Sequence, residues 1–250
     1  MAKTKAPKLR NTPDAKRPGG AVIIDEQEGV LESPEALRER LGRTDDFFRR
    51  HQKMVLAAAV VIALLIAGIA FYLYNQGQRE EQAQEYIFPA VYYFEADSLN
   101  KALDGDGVNY GMVYIADEYG NTAAGNLASF YAGAIYLRQG EYQQAVDRLE
   151  DVDTDDLLVQ ARAYALLGDA YMELENYDAA ISEYRKAANY RPNEAFTPGY
   201  LMKLGLAYEM AERPADAATA YGQIVDKYPQ AQEVTIAKQY RATAEAAAAE

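Results

Sequence analysis

Part of this chain repeats itself. Tyr164, Leu167-Gly168, Tyr171, Ala180, Tyr184 and Pro192 recur as Leu201, Leu204-Gly205, Tyr208, Ala217, Tyr221 and Pro229, each displaced by 37 residues. A unit of that length is one supersecondary element, too small to bury its own apolar face, so copies must stack to share a core. Stacks of this kind are quasi-one-dimensional and present extended surfaces suited to binding.

Within each copy, large and small residues alternate at helical spacing. Gly168 and Ala180 are small, which lets two antiparallel helices approach, and Tyr164, Tyr171 and Tyr184 fill the space beside them. Asn176-Tyr177 separates the two helices, and Arg191-Pro192 ends the second, because proline cannot sit in a helix interior. The pattern resembles the tetratricopeptide repeat, whose usual period is about 34 residues. A weaker copy lies upstream at Ala132-Gly133, Tyr136, Gly140-Glu141-Tyr142, Ala145 and Leu149, and lacks the closing proline. The expected fold is all-α: three repeats at 126–159, 161–194 and 198–231, a linker helix and degenerate first unit at 79–125, and an Ala-rich capping helix at 232–250. In the first unit, the segment with Tyr86, Phe88, Val91, Tyr92 and Phe94 does not fit the template.

Residues 54–74 carry no charge and are rich in Ala, Val, Ile and Leu. At about 1.5 Å per residue they reach about 30 Å, the thickness of a hydrocarbon core, so a single transmembrane helix is expected there. A cleaved signal peptide fits poorly, because 53 residues precede the run. The net charge of −13 hides a split. Residues 1–53 hold 12 basic and 9 acidic groups (+3), and the remainder 13 basic and 29 acidic (−16). Lys and Arg stay on the cytoplasmic side, which puts the N-terminus inside and the repeats outside. So acidic a domain is a poor partner for nucleic acid.

Residues 1–32, with Lys and Arg interspersed among Pro and Gly, read as a disordered cytoplasmic tail. Ser33-Pro34-Glu35 looks like a helix start, and Leu37, Leu41, Phe47 and Phe48 outline a basic amphipathic juxtamembrane helix at 33–53. Small residues in the span, including Ala57, Ala63 and Gly68, would let two spans pair into a homo-oligomer.

Little in the chain suggests chemistry. Cysteine is absent, which excludes disulfides, thiol nucleophiles and a lipidated N-terminal Cys. His51 is the only histidine and sits among Arg and Lys at the membrane border, and the chain holds no second His or Cys to share a metal with it. The acidic stretches Asp104-Gly105-Asp106-Gly107 and 151–156 each miss residues that a calcium loop needs and read as solvated turns, with loose calcium binding the alternative. No enzyme activity and no cofactor is expected.

Function must then come from a surface. In the tetratricopeptide family the first helix of each repeat lines a concave groove. That resemblance implies a face with Leu127, Phe130, Ala134, Leu137 and Arg138, then Arg162, Ala165, Asp169, Met172 and Glu173, then Gly199, Met202, Leu206, Glu209 and Met210. Spacings of three and four do share a helix face. Flexible methionines suit varied apolar partners. The alternative is that the 79–103 helix and the Ala-rich tail cover this face.

The whole layout resembles the YfgM-like family of ancillary SecYEG translocon subunits. Its most particular part is Leu37-Arg38-Glu39-Arg40 through Asp46-Phe47-Phe48-Arg49-Arg50-His51-Gln52-Lys53, running straight into the span. That resemblance implies a single-pass bacterial inner-membrane protein with its repeats in the periplasm, an adaptor beside the Sec translocon, with translocon subunits, a periplasmic chaperone or foldase, and unfolded exported chains as partners. A scaffold for cell-envelope assembly or cell-division machinery is the competing expectation.

Overall fold

The computed structural model describes residues 51–249; the tail at 1–32 and most of the juxtamembrane helix fall outside them. The described residues form ten α-helices, with one isolated bridge between Gly105 and Tyr110. The chain divides into two units at residues 65 and 66.

Helix α1, Gln52–Glu95, begins in the first unit and continues into the second. It is the one described helix long and apolar enough to cross a membrane, and none of its most apolar 18-residue window is buried. The sequence reading leaves 75–78 between span and first unit, but α1 crosses these positions unbroken and accommodates Pro89 further on.

Three side chains just past Tyr74 fasten α1 to the rest of the second unit. Gln76 exchanges hydrogen bonds with Asn121, at 2.5 Å to its carbonyl and 3.0 Å from its amide. Arg79 donates to the Glu118 carbonyl and lies 5.1 Å from the Tyr119 ring. Glu80 accepts from the backbone N–H groups of Ala123 and Ala124 at 2.7 and 3.4 Å. These are the unpaired donors of the first turn of α4, Ala123–Gln139, so the carboxylate satisfies them and complements the helix dipole. Thr122 completes the cap through its own hydroxyl.

The remaining helices are α2 (Leu99–Asp104), α3 (Met112–Tyr119), α5 (Tyr142–Glu150), α6 (Leu157–Glu173), α7 (Tyr177–Asn189), α8 (Thr197–Met210), α9 (Pro214–Lys227) and α10 (Val234–Ala247). Each packs on its chain neighbour from α2 to α10, and α4 also touches α6; α1 joins the first core through Ala83, Ile87 and Ala90. Three core clusters follow in chain order. Half-buried Leu127, Tyr131 and Tyr136 join the first to the second, and Tyr171 joins the second to the third.

One turn recurs four times. Its residue in the left-handed region is Asp97, Gly140, Glu175 or Glu212, with φ of 57°, 78°, 57° and 56°. Each time that residue donates to a carbonyl three back, and the next residue donates to one five back, as from Ser98 to Tyr93 and Asn176 to Tyr171. These bonds satisfy carbonyls that a helix end would leave orphaned. Three of the four positions lack glycine, so the paired bonds offset the strain of positive φ.

The fourth occurrence identifies the end of α1 as the first helix of a repeat. Ala90 stands 43 residues before Gly133, as Tyr93 does before Tyr136, and it is fully buried. The second helix of this unit is broken into α2 and α3 by the loop 105–111. Asp106 organises that loop: its carboxylate accepts from the N–H groups of Val108 and Asn109, the Asn109 amide and the Tyr93 hydroxyl. These bonds hold its carboxyl far below the usual range. The other acidic stretch is also structural, since Asp156 caps α6 through the N–H groups of Leu158 and Val159.

The small residue of each first helix faces a large one on the second. A Cβ on Gly168 would lie 2.6 Å from Tyr184 Cε1, and one on Gly133 2.5 Å from Leu149 Cγ. Gly205 is tighter still against Tyr221, which is completely buried. Gly205→Ala is therefore expected to lower the unfolding free energy by about 1–3 kcal/mol through overpacking. Gly77→Ala, with nothing within 4 Å, should be neutral or stabilising by about 0.5–1 kcal/mol. Denaturant titration followed by circular dichroism compares the two, and equal effects would contradict the close-approach account.

Candidate interaction surface

The residues expected to line a groove stand on α4, α6 and α8, and the fold divides them by role. On α4, Leu127, Ala134 and Leu137 are half-buried and Arg138 is exposed. Phe130 corrects the expectation of an open position. It is 8% exposed and belongs to the core with Ala145, Val146 and Leu149 of α5, so it supports the surface from beneath. Ala165 on α6 is also buried.

Arg138 is drawn away from the other candidates. Its guanidinium pairs with Asp97 at 2.5 Å and lies 5.8 Å from the Phe94 ring, both at the end of α1. Gln139 adds a bond to Asn100 at 2.8 Å. The first turn of the fold thus covers the C-terminal end of α4. At the other end of α4 a cavity of about 260 Å³ stays open between α1, α4 and the start of α6, with Gln84, Ile87, Ala124, Leu127 and Val159 on its walls.

On α6 and α8 the candidates come together. Asp169 Oδ1 accepts from the Tyr184 hydroxyl and from Lys203 Nζ, both at 2.6 Å. One carboxylate thereby ties α6, α7 and α8. Gly168 makes this possible, since the Tyr184 ring passes against it to reach the acid. One repeat later Tyr221 passes Gly205 the same way, and its buried hydroxyl lies beside Glu209 in a looser contact than a regular hydrogen bond. Met172 and Met202 are half-buried against the same core cluster. Leu206 and Met210, one turn apart on α8, are 47% and 48% exposed. Gly199 and Glu209 are half-buried, while Arg162 and Glu173 are exposed. Glu173 is within bonding reach of the Tyr142 hydroxyl.

A family model described as the tetratricopeptide repeat-like domain matches residues 45–245. The chain belongs to that family. Among relatives of this TPR-like protein, the ancillary SecYEG translocon subunit of Neisseria gonorrhoeae (strain ATCC 700825 / FA 1090) is 26% identical over 187 residues, covering 74% of this chain and 85% of that one. The uncharacterized protein ycf37 of Guillardia theta is 28% identical over 118 residues, covering 46% and 65%. Among solved structures, a kinesin light chain from Podosopora anserina with nearly identical TPR-like repeats covers 68% of this chain and 88% of its own, at 14% identity and a TM-score of 0.49. MamA, from residue 41 to its end, of Desulfovibrio magneticus RS-1 covers 65% and 92%, at 22% identity and a TM-score of 0.42.

Sequence reasoning missed several parts of this TPR-like domain. A second cavity of about 240 Å³ lies between α7, α8 and α9, where Arg185 donates to the Tyr208 hydroxyl at 2.6 Å. The Asp97 turn and the Glu80 cap were also missed. The alignment Tyr93–Tyr136–Tyr171–Tyr208 was the available signal for that turn, hidden by an offset of 43 instead of 35 or 37.

Burial and then the Asp169 charge push the Tyr184 hydroxyl well above its ordinary value of 10.0, and burial and then Glu209 do the same to Tyr221. Burial and Glu150 push Tyr171 up to about 12. The fold thus favours the neutral phenols. Their contribution is complete below pH 10 and is lost as pH rises, because the unfolded chain ionises first. The melting temperature is expected to fall as pH rises from 10 to about 12, and a Tyr184→Phe/Tyr221→Phe variant to show a shallower fall. An unchanged slope in thermal melts of that variant would remove these two groups as the cause.

Proposed function

We propose that this chain is a single-pass inner-membrane adaptor whose TPR-like domain binds protein partners on the periplasmic side, at the Sec translocon. The observation that carries the reading is the unbroken passage of α1 from an exposed, uncharged run into the first helix of a repeat stack. An apolar helix of this length with nothing packed on it calls for lipid. The split between +3 before the run and −16 from it onward favours a cytoplasmic N-terminus and an exported domain. The similarity to the Neisseria translocon subunit over 85% of that protein supports the choice of partner.

In this role the chain binds and does not catalyse. Two polar groups of the candidate surface are spent on structure: Asp169 is held by Tyr184 and Lys203, and Arg138 by Asp97. Leu206 and Met210 remain as apolar contact points on α8. A domain tethered beside the translocon would meet exported chains as they emerge and pass them to a periplasmic chaperone or foldase.

Two measurements test this. Mild-detergent purification of the tagged full chain is expected to recover translocon subunits, and recovery of none would defeat the assignment to the translocon. Protease added to intact spheroplasts is expected to degrade the 79–250 region, whereas full protection would place the domain in the cytoplasm.

A further inference from the structure

A repeat stack must close both ends, and its terminal helices need a polar outer face to remain soluble. At the C-terminal end, α10 supplies the cover. It packs on α9 through Ala237 and Ala244, and Tyr240 meets the Tyr221 ring at 5.5 Å. At the other end, the first helix is the 79–95 part of α1. Its inner face is spent: Ala83, Ile87 and Ala90 are buried, Phe94 meets Tyr131, and Tyr86 meets Tyr110 and Tyr119. Its outer face is only partly polar. Phe88 is 75% exposed and Tyr92 64%, one turn apart, on a line that continues back through exposed Glu85 and Glu81. Spacings of four, three and four keep these residues on one face.

We propose that the strip Glu81–Glu85–Phe88–Tyr92 is a docking face for a basic amphipathic helix of a partner protein. The occupant follows from the strip's make-up. Exposed aromatic side chains a turn apart are anchors of the kind that dominate protein interfaces. A helix laid along them would extend the stack by one more helix, as α10 does at the other end. Glu81 and Glu85 select its charge, since Lys or Arg beside its apolar stripe would complement them. A second copy of this chain is disfavoured, because two copies inserted in the membrane in the same orientation would pair these helices in parallel and set Glu81 and Glu85 against their own counterparts. The strip starts about 10 Å along the helix from Tyr74, the end of the apolar run, and ends about 27 Å from it. A partner helix lying near a membrane surface is therefore within reach. The inference deepens the adaptor reading and rests on it, by naming the class of partner segment.

The test uses the full chain in nanodiscs of neutral phosphatidylcholine, with empty nanodiscs as the control for lipid binding. The probes are two helical peptides of equal length that share one leucine stripe and differ in carrying Lys or Glu at its flanks. The Lys peptide is expected to bind about tenfold more tightly than the Glu peptide, and Phe88→Ser to weaken it about tenfold. Glu81→Lys/Glu85→Lys is expected to reverse the preference. These side chains are exposed, so unchanged circular dichroism melts keep the variants interpretable. Equal binding of both peptides, or indifference to Phe88→Ser, overturns the proposal. A benzophenone side chain at position 92 in native membranes supplies the second arm. Crosslinking to a basic amphipathic segment of another protein supports the proposal, whereas crosslinking to another copy or to residues 1–50 overturns it. The two readings fail separately. Translocon recovery retained in Phe88→Ser with no peptide discrimination removes only the strip, and discrimination without translocon recovery removes only the translocon.

Discussion

The structure depends on how closely the two helices of each pair approach. A glycine on the first helix leaves room for a ring on the second, Gly168 for Tyr184 and Gly205 for Tyr221. In these two repeats that contact fills the centre with one large buried side chain and also places its hydroxyl beside an acid on the opposite helix. Packing and polar satisfaction are thus coupled. Tyr184 reaches Asp169 because Gly168 has no side chain, and Asp169 in turn holds Lys203 of the following pair. A buried hydroxyl with a partner costs little, whereas one without a partner carries a desolvation penalty. Tyr221 shows the looser version of the same arrangement near Glu209.

The second constraint is the double use of α1. One helix supplies an exposed apolar run and then contributes Ala83, Ile87 and Ala90 to the first core. Gln76, Arg79 and Glu80 secure it within two turns of Tyr74. No flexible linker intervenes between the end of the run and the first repeat. For an adaptor this means that the domain's first contacts are fixed close to the end of the run, and that the outward strip of the same helix has a defined position along it.

Some of this was legible in the sequence. The later repeats could be read because Leu167-Gly168-Tyr171 and Leu204-Gly205-Tyr208 keep their spacing, and spacing is what helix-on-helix packing constrains. The first unit was harder to read. Its second helix is interrupted by the seven loop residues 105–111, which shift the offset to 43, and Ala90 stands where the later units have glycine. The candidate surface was legible only as a set of helix positions. Periodicity puts Leu127 and Phe130 on one face, but burial of Phe130 against α5 depends on the neighbour, which no local pattern encodes. The pairing of Arg138 with Asp97 spans 41 residues and could not be inferred from either residue's surroundings.

By itself the sequence determined the class of fold and the presence of an apolar run. Both follow from local composition and repetition: an uncharged stretch of 21 residues, and residue types recurring at intervals that only stacked helices use. Tertiary structure alone decided that the run and the first repeat share one helix, which acids are spent on tyrosines and caps, and that Phe88 and Tyr92 point outward while Tyr86 and Phe94 turn inward. The physical reason is that aromatic residues on neighbouring turns of one helix look alike in a sequence. Which of them is buried depends on where the next helix lies, and here that is set by a turn at Asp97 and a loop held by a single carboxylate.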